Sequence, residues 1–160
     1  MLKDITIYTD GSCRGNPGRG GWAAVILDAD SEKRIELSGG YKLTTNNRME
    51  IMSIIKALDI LNEPANIKLH SDSEYVCNAF NKRWLQSWQK NNWCKANKEP
   101  VKNVDLWKLL LEKIHPHKIK FVWVRGHAGT QENERCDQLA QAAASRADLP
   151  CDTGFAKKWA

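Results

Sequence analysis

No apolar run in this 160-residue chain approaches the roughly 18 residues that a membrane-crossing helix requires. Met1-Leu2-Lys3-Asp4-Ile5 passes straight into alternating sequence without an apolar h-region, so a secreted protein is not expected. No C-x-x-C pair occurs among Cys13, Cys77, Cys94, Cys136 and Cys151. That argues against a zinc knuckle or a thiol-exchange site. An odd number of unpatterned thiols fits a reducing compartment, so a cytoplasmic protein is expected. Internal repeats and low-complexity tracts are also missing. No exposed heptad marks a partner helix, and a monomer with no membrane contact and no obligatory protein partner is expected.

What remains is ordinary for a globular protein: 18.2 kDa, 42% hydrophobic and 27% charged. This size predicts one domain over 1–160, large enough to bury a core without disulfides. Charge is the first informative feature. The formal net charge is +5. All of it resides in residues 82–102, where Lys82, Arg83, Lys90, Lys95, Lys98 and Lys102 face one acid, Glu99. Trp84, Trp88 and Trp93 are interleaved with them. A basic strip with aromatics fits a polyanion-binding surface. It equally fits a solvated helical face whose tryptophans pack inward.

Hydrophobic periodicity gives the element order. Lys3–Asp10 alternates as a strand, Gly11–Gly21 reads as a glycine-rich turn, and Trp22–Leu27 and Arg34–Leu37 read as two more strands. A helix begins near Asn46 and stops before Pro64. Ile67–Ser71 is a short strand and Ser73–Phe80 a short helix. The basic segment is expected to be helical with a break near Asn91-Asn92. Asp105–Ile114 forms a helix that Pro116 ends. Ile119, Phe121 and Trp123 alternate as a last strand, and Asn133–Ala147 is an alanine-rich helix. Leading strands followed by strand–helix alternation define an α/β fold, a mixed sheet with helices on its faces. The glycine-rich stretch is no nucleotide loop, because it leads into a strand and lacks the Gly-Lys-Ser/Thr ending.

Four carboxylates are candidate site residues. Asp10 precedes Gly11, and Asp-Gly commonly starts a turn. Glu50 lies at the edge of the helical stripe formed by Ile51, Ile54, Ile55, Leu58 and Leu61. A capping box with Asn47 accounts for an acid in the first turn. It does not account for one beside the core-facing side, where an unpaired carboxylate is costly. Asp72 follows a strand and precedes a helix, a position that suits an N-cap. It is also the strand end at which α/β proteins bind ligands. Asp137 flanks a small-residue stripe of Cys136, Leu139, Ala140 and Ala143, where solvent exposure is the plain reading. Carboxylates gathered at strand ends repel unless a cation lies between them. Oxygen-only donors favour Mg²⁺ or Mn²⁺. Spacing alone does not show that residues 10, 50, 72 and 137 converge.

The motifs that contain these acids carry a resemblance. Tyr8-Thr9-Asp10-Gly11-Ser12-Cys13, Gly15-Asn16-Pro17-Gly18, Thr44-Thr45-Asn46-Asn47-Arg48-Met49-Glu50 and Ser71-Asp72-Ser73 occur in that order. Gly126-His127-Ala128-Gly129, Asn133-Glu134, Asp137 and Asp152-Thr153-Gly154 follow. Together they resemble bacterial type 1 ribonuclease H over nearly the whole chain. The resemblance implies a ribonuclease H-like fold, a five-stranded mixed sheet flanked by helices, with residues 82–102 forming a basic helix-and-loop handle. It implies endonucleolytic cleavage of the RNA strand of an RNA–DNA hybrid, leaving 5′-phosphate and 3′-hydroxyl ends. Asp10, Glu50, Asp72 and Asp137 match the family's metal-binding acids. They would hold two Mg²⁺ ions with substrate, about 4 Å apart, with Mn²⁺ able to substitute. His127 matches a loop histidine that shuttles a proton or assists product release.

Cys13, Asn16, Asn46, Asn47 and Ser73 match minor-groove contacts, where 2′-hydroxyls distinguish RNA from DNA. Thr45 and Asn16 match a DNA-phosphate pocket and Trp84 an aromatic on the DNA sugar, while Lys82, Arg83 and Lys90 belong to the basic handle. Trp88 and Trp93 are expected to pack the handle together. Glu74 departs from the family, which often has glutamine there, and an acid cannot donate to the minor groove. A binding module without catalysis is disfavoured, because a pure binder would gain by losing four mutually repelling acids. The handle and the Cys13/Asn16 turn disfavour other nucleases of the same fold.

Overall fold

The computed structural model describes residues 2–125 and 131–155. Among the described residues, five strands and five helices follow one another as β1 (Lys3–Arg14), β2 (Gly18–Asp28), β3 (Arg34–Thr44), α1 (Asn46–Asp59), β4 (Ala65–Ser71), α2 (Glu74–Asn81), α3 (Trp84–Lys90), α4 (Val104–Ile114), β5 (Lys118–Trp123) and α5 (Gln131–Ala144). The sheet order is β3-β2-β1-β4-β5. The β1–β2 and β2–β3 pairs are antiparallel, whereas β1–β4 and β4–β5 are parallel. The mixed sheet read from the sequence is therefore the one observed.

Strand alternation divides the core between two faces. Ile5, Ile7, Ala24, Ile26, Ile67 and Leu69 pack with the buried side of α1. Ala23, Val25, Cys136 and Ala140 form a smaller cluster on the opposite face, beneath α5. Ile51, Ile54, Ile55 and Leu58 are all buried, as the helical stripe required, whereas Leu61, expected to extend the stripe, lies beyond the end of α1 and is half-buried.

The long glycine-rich turn expected over 11–21 is a hairpin. β1 continues to Arg14 and pairs through Gly11↔Trp22, Ser12↔Gly21 and Cys13↔Gly20, leaving only residues 15–17 outside the strands. Gly15, at φ 78°, supplies the left-handed residue that this turn needs. The other glycines serve close packing. A Cβ on Gly11 would lie 2.5 Å from the Glu50 backbone nitrogen. Gly39 and Gly40 likewise lie within β3, which runs seven residues beyond the predicted Leu37.

In the basic segment, α3 ends at Lys90 with Asn91 as its C-cap, and Asn92 and Trp93 adopt φ values of 54° and 59°. The helix does not resume. A loop follows, closed by a Cys94↔Pro100 bridge and by the Val101 amide donating to the Trp93 carbonyl at 2.9 Å.

Candidate active site

Three acids reach one point from three different elements. Asp10 lies inside β1 opposite Ala23, not at the strand's end. Glu50 projects from the first turns of α1, and Asp72 follows the last residue of β4. One carboxylate oxygen from each lies within 4.8 Å of the others. Asp10 and Glu50 are buried, while Asp72 is exposed. Asp137, on α5, lines the same cleft of about 460 Å³ without joining the close triple.

Neither capping alternative accounts for these acids. The N-cap of α1 is Thr45, whose Oγ1 accepts from the Arg48 amide at 3.2 Å. The N-cap of α2 is Ser73, whose Oγ accepts from the Val76 amide at 3.1 Å. Glu50 and Asp72 are thereby free of the helix ends. Asp137 is half-buried, and its Oδ2 accepts from Gln141 Nε2 at 2.9 Å.

The electrostatics record the cost of this convergence. Burial first, then the charges of Asp72 and Asp137, push the Asp10 carboxyl up to about 8. Burial, followed by the charges of Asp10 and Asp72, raises Glu50 well above the usual carboxylate range. Burial also raises Asp72. Glu50 Oε2 is buried and accepts no hydrogen bond from the described residues. A buried, unpartnered oxygen beside two more carboxylates is the donor set of a hard divalent cation. The residues present therefore fit a divalent metal.

The polar residues expected at the substrate divide between two clefts. Cys13, Asn46, Asn47 and Ser73 line the acidic cleft. Asn16 and Thr45 line a neighbouring one of about 490 Å³, which Asn47 shares. Asn16 Oδ1 accepts from the Asn46 amide at 3.1 Å, tying the β1–β2 turn to the start of α1. Cys13 Sγ donates to the Thr44 carbonyl at 3.4 Å, and burial raises its thiol pKa. Lys82, Arg83 and Lys90 are exposed on or beside α3. Trp84 is half-buried, 6.2 Å from Trp88, which in turn packs 5.8 Å from Trp107. Trp93 packs against the core beneath Lys108. His127 lies outside the described residues.

Several participants carried no individual assignment from the sequence. Asn133, with a buried Nδ2 lacking a partner among the described residues, lines the acidic cleft with Glu134. Its place four residues before Asp137, on one helical face, was the available signal. Lys102 and Asn103 line the second cleft beside Arg48, and only the fold brings them there.

A family model described as RNase H matches residues 2–145. Ribonuclease H of Nitratidesulfovibrio vulgaris (strain DP4) is 56% identical over 152 residues, covering 95% of this chain and 96% of that protein. Ribonuclease H of Aeromonas hydrophila is 51% identical over 155 residues, covering 97% and 99%. Among solved structures, LC9-RNase H1, described as a type 1 RNase H with the type 2 active-site motif, superposes with a TM-score of 0.80 at 28% identity, over 90% of this chain and 73% of that one. LC11-RNase H1 in complex with RNA/DNA hybrid superposes at 0.66 and 26% identity, over 88% and 96%. Fold, acidic cleft and relatives together define an enzyme, a nuclease of the hydrolase class. The chain belongs to the RNase H family, whose members depend on divalent metal ions.

Proposed function

We propose that this protein is an endoribonuclease that hydrolyses the RNA strand of RNA–DNA hybrids, leaving 5′-phosphate and 3′-hydroxyl ends. The observation that carries this reading is the approach of Asp10, Glu50 and Asp72 to within 4.8 Å around an unpartnered Glu50 oxygen. The hybrid held by the related LC11-RNase H1 supports the choice of substrate. Asp10, Glu50, Asp72 and Asp137 would hold two Mg²⁺ ions, with Mn²⁺ as a substitute. Held by these acids, such ions would supply activation of water and stabilisation of charge on the leaving 3′ oxygen.

The chain's own groups bind and orient the substrate. Asn46 and Asn47, exposed on the first turn of α1, offer amides to 2′-hydroxyls and base edges. Cys13, Asn16 and Ser73 extend that surface. Thr45 and Asn16 grip a DNA phosphate beside Lys102. Lys82, Arg83 and Lys90 follow the backbone, and Trp84 meets a DNA sugar. His127 moves a proton or assists product release. Residues 1–160 act as a single catalytic domain with the handle at 82–102, as a cytoplasmic monomer needing no protein partner.

The test incubates the protein with hybrid, duplex RNA and duplex DNA, with Mg²⁺ or with chelator. Internal cuts in the hybrid's RNA alone, abolished by chelator and by Asp10→Asn, are expected. Cuts in duplex DNA, or cleavage that survives the chelator, would overturn the reading.

A further inference from the structure

The sheet has one half-face that no helix covers among the described residues. α5 packs on β1, β2 and β3, whereas α2 meets β4 and β5 from the other side, where Phe80 stacks on Phe121. Register identifies what the open half presents. Thr6, Lys68 and Lys120 stand side by side across β1, β4 and β5. Asp4, Asn66 and Lys118 form the row on one side of them, and Tyr8, His70 and Val122 the row on the other. The first two rows line a shallow cavity of about 450 Å³.

Lys68, Lys118 and Lys120 are exposed, and none makes an ion pair with a described residue. Asp4 is the one carboxylate among the described residues that line the cavity. Neighbouring strands lie about 4.8 Å apart and alternate residues of one strand about 6.6 Å apart. Lys68 and Lys120 are therefore adjacent like charges, an arrangement that weakens a sheet. Edge protection accounts for lysines on β5, an edge strand. It does not account for Lys68, because β4 is an interior strand. Outside 82–102 the chain's charges balance, so this cluster is a local excess.

The rows lead toward the acidic cleft. Four residues along β4 from Lys68 stands Asp72, about 13 Å away at strand spacing. Between them, at the border with α5, Tyr8 packs against the Cys136–Ala140 cluster and stacks on His70, with ring centroids 4.5 Å apart and planes 9° from parallel, both half-buried. Cations beside aromatic rings on an open surface fit a single strand of nucleic acid. We propose that this half-face holds a single-stranded flank of the substrate after it leaves the acidic cleft, with Lys68, Lys118 and Lys120 on its phosphates and the Tyr8–His70 pair beside its bases. The proposal rests on the proposed function for the identity of the substrate and adds a second binding surface, separate from the handle.

The test compares binding, by fluorescence anisotropy in EDTA, of a blunt RNA–DNA hybrid and the same hybrid with a flank of about eight nucleotides, within the usual single-strand site size. The wild type should bind the flanked hybrid more tightly. A Lys68→Ala/Lys118→Ala/Lys120→Ala variant should lose that preference and bind the blunt hybrid as before. In the wild type, the preference should shrink roughly twentyfold between 50 and 200 mM salt, as the neutralisation of three single-strand phosphates implies. Equal binding of both hybrids by the wild type would overturn the proposal, as would a preference that survives in the triple variant. Binding of a poly-glutamate peptide at these lysines, without a flank effect, would overturn it in favour of an acidic protein segment. Thermal melting of the variant checks its fold. Cleavage of the blunt hybrid reports on the proposed function alone, so the two readings fail separately.

Discussion

Arg48 Nε and Asp152 Oδ2 lie 2.7 Å apart across 104 residues of sequence, with both side chains buried. Arg48 Nη2 donates to Asp152 Oδ1 at 3.0 Å and to Asp105 Oδ2 at 2.7 Å. Thr44 Oγ1 donates to the Asp152 carboxylate at 2.7 Å. The start of α1, the start of α4 and the segment after α5 are thus joined at one guanidinium, two residues before Glu50. Removing one partner of a buried pair strands the other charge. Asp152→Ala should therefore cost about 3 kcal/mol, the low end of that range because Asp105 still holds Arg48. Urea denaturation measures it, and an unchanged midpoint would show that Asp105 suffices.

Gly11 governs how closely α1 approaches β1. Its substitution by alanine places a Cβ 2.5 Å from the Glu50 nitrogen and 2.6 Å from the Met49 carbonyl carbon. Both atoms belong to the Met49–Glu50 peptide, which cannot rotate away as a flexible side chain could. Gly11→Ala should cost about 1–3 kcal/mol through overpacking. It should also weaken metal binding by displacing Glu50. The rise in Tm on adding Mg²⁺ without substrate should shrink, and an unchanged rise would refute the displacement.

Asp10→Asn should abolish cleavage and raise the metal-free Tm at pH 8. The wild-type carboxyl sits at about 8 in the folded protein against 3.8 ordinarily. Between those values the folded state holds a proton that the unfolded chain has lost. Metal-free stability therefore falls as pH rises from about 4 to 8. The variant should show a flatter profile across that window. A lower Tm at pH 8 would mean that the buried charge is not what strains the site.

Neutralising Lys82, Arg83 and Lys90 should weaken hybrid binding and flatten its salt dependence by about 0.7–0.9 in log–log slope for each phosphate no longer neutralised. All three are exposed, so Tm should hardly move. An unaltered slope would remove the handle from the binding surface.

Glu74→Gln should bind hybrid more tightly at low salt. Glu74 is exposed in the first turn of α2, where its charge favours the helix. The same change should cost the protein about 0.3–1 kcal/mol by removing that interaction. Equal affinity of the two forms would dismiss the groove contact at this position.

Element order and the mixed sheet were legible in the residues alone, because strand and helix periods are local properties that burial on one side enforces. The stripe from Ile51 to Leu58 and the alternation of Ile5 and Ile7 needed no distant partner to be legible. Motif order sufficed to indicate the family. Tertiary structure decided what the glycines are for and which acids meet. Gly11 and Gly21 read locally as turn residues and lie in strands, since their lack of a Cβ answers to α1 and α5 packed above them. Thr45 and Ser73 took the capping roles that Asn47 and Asp72 could have filled, and only backbone geometry could choose between neighbours. The close approach of Asp10, Glu50 and Asp72 depends on three elements crossing at one point, and the Arg48–Asp152 pair on the meeting of remote segments. Such encounters are set by the packing of whole elements, which no short stretch of sequence encodes.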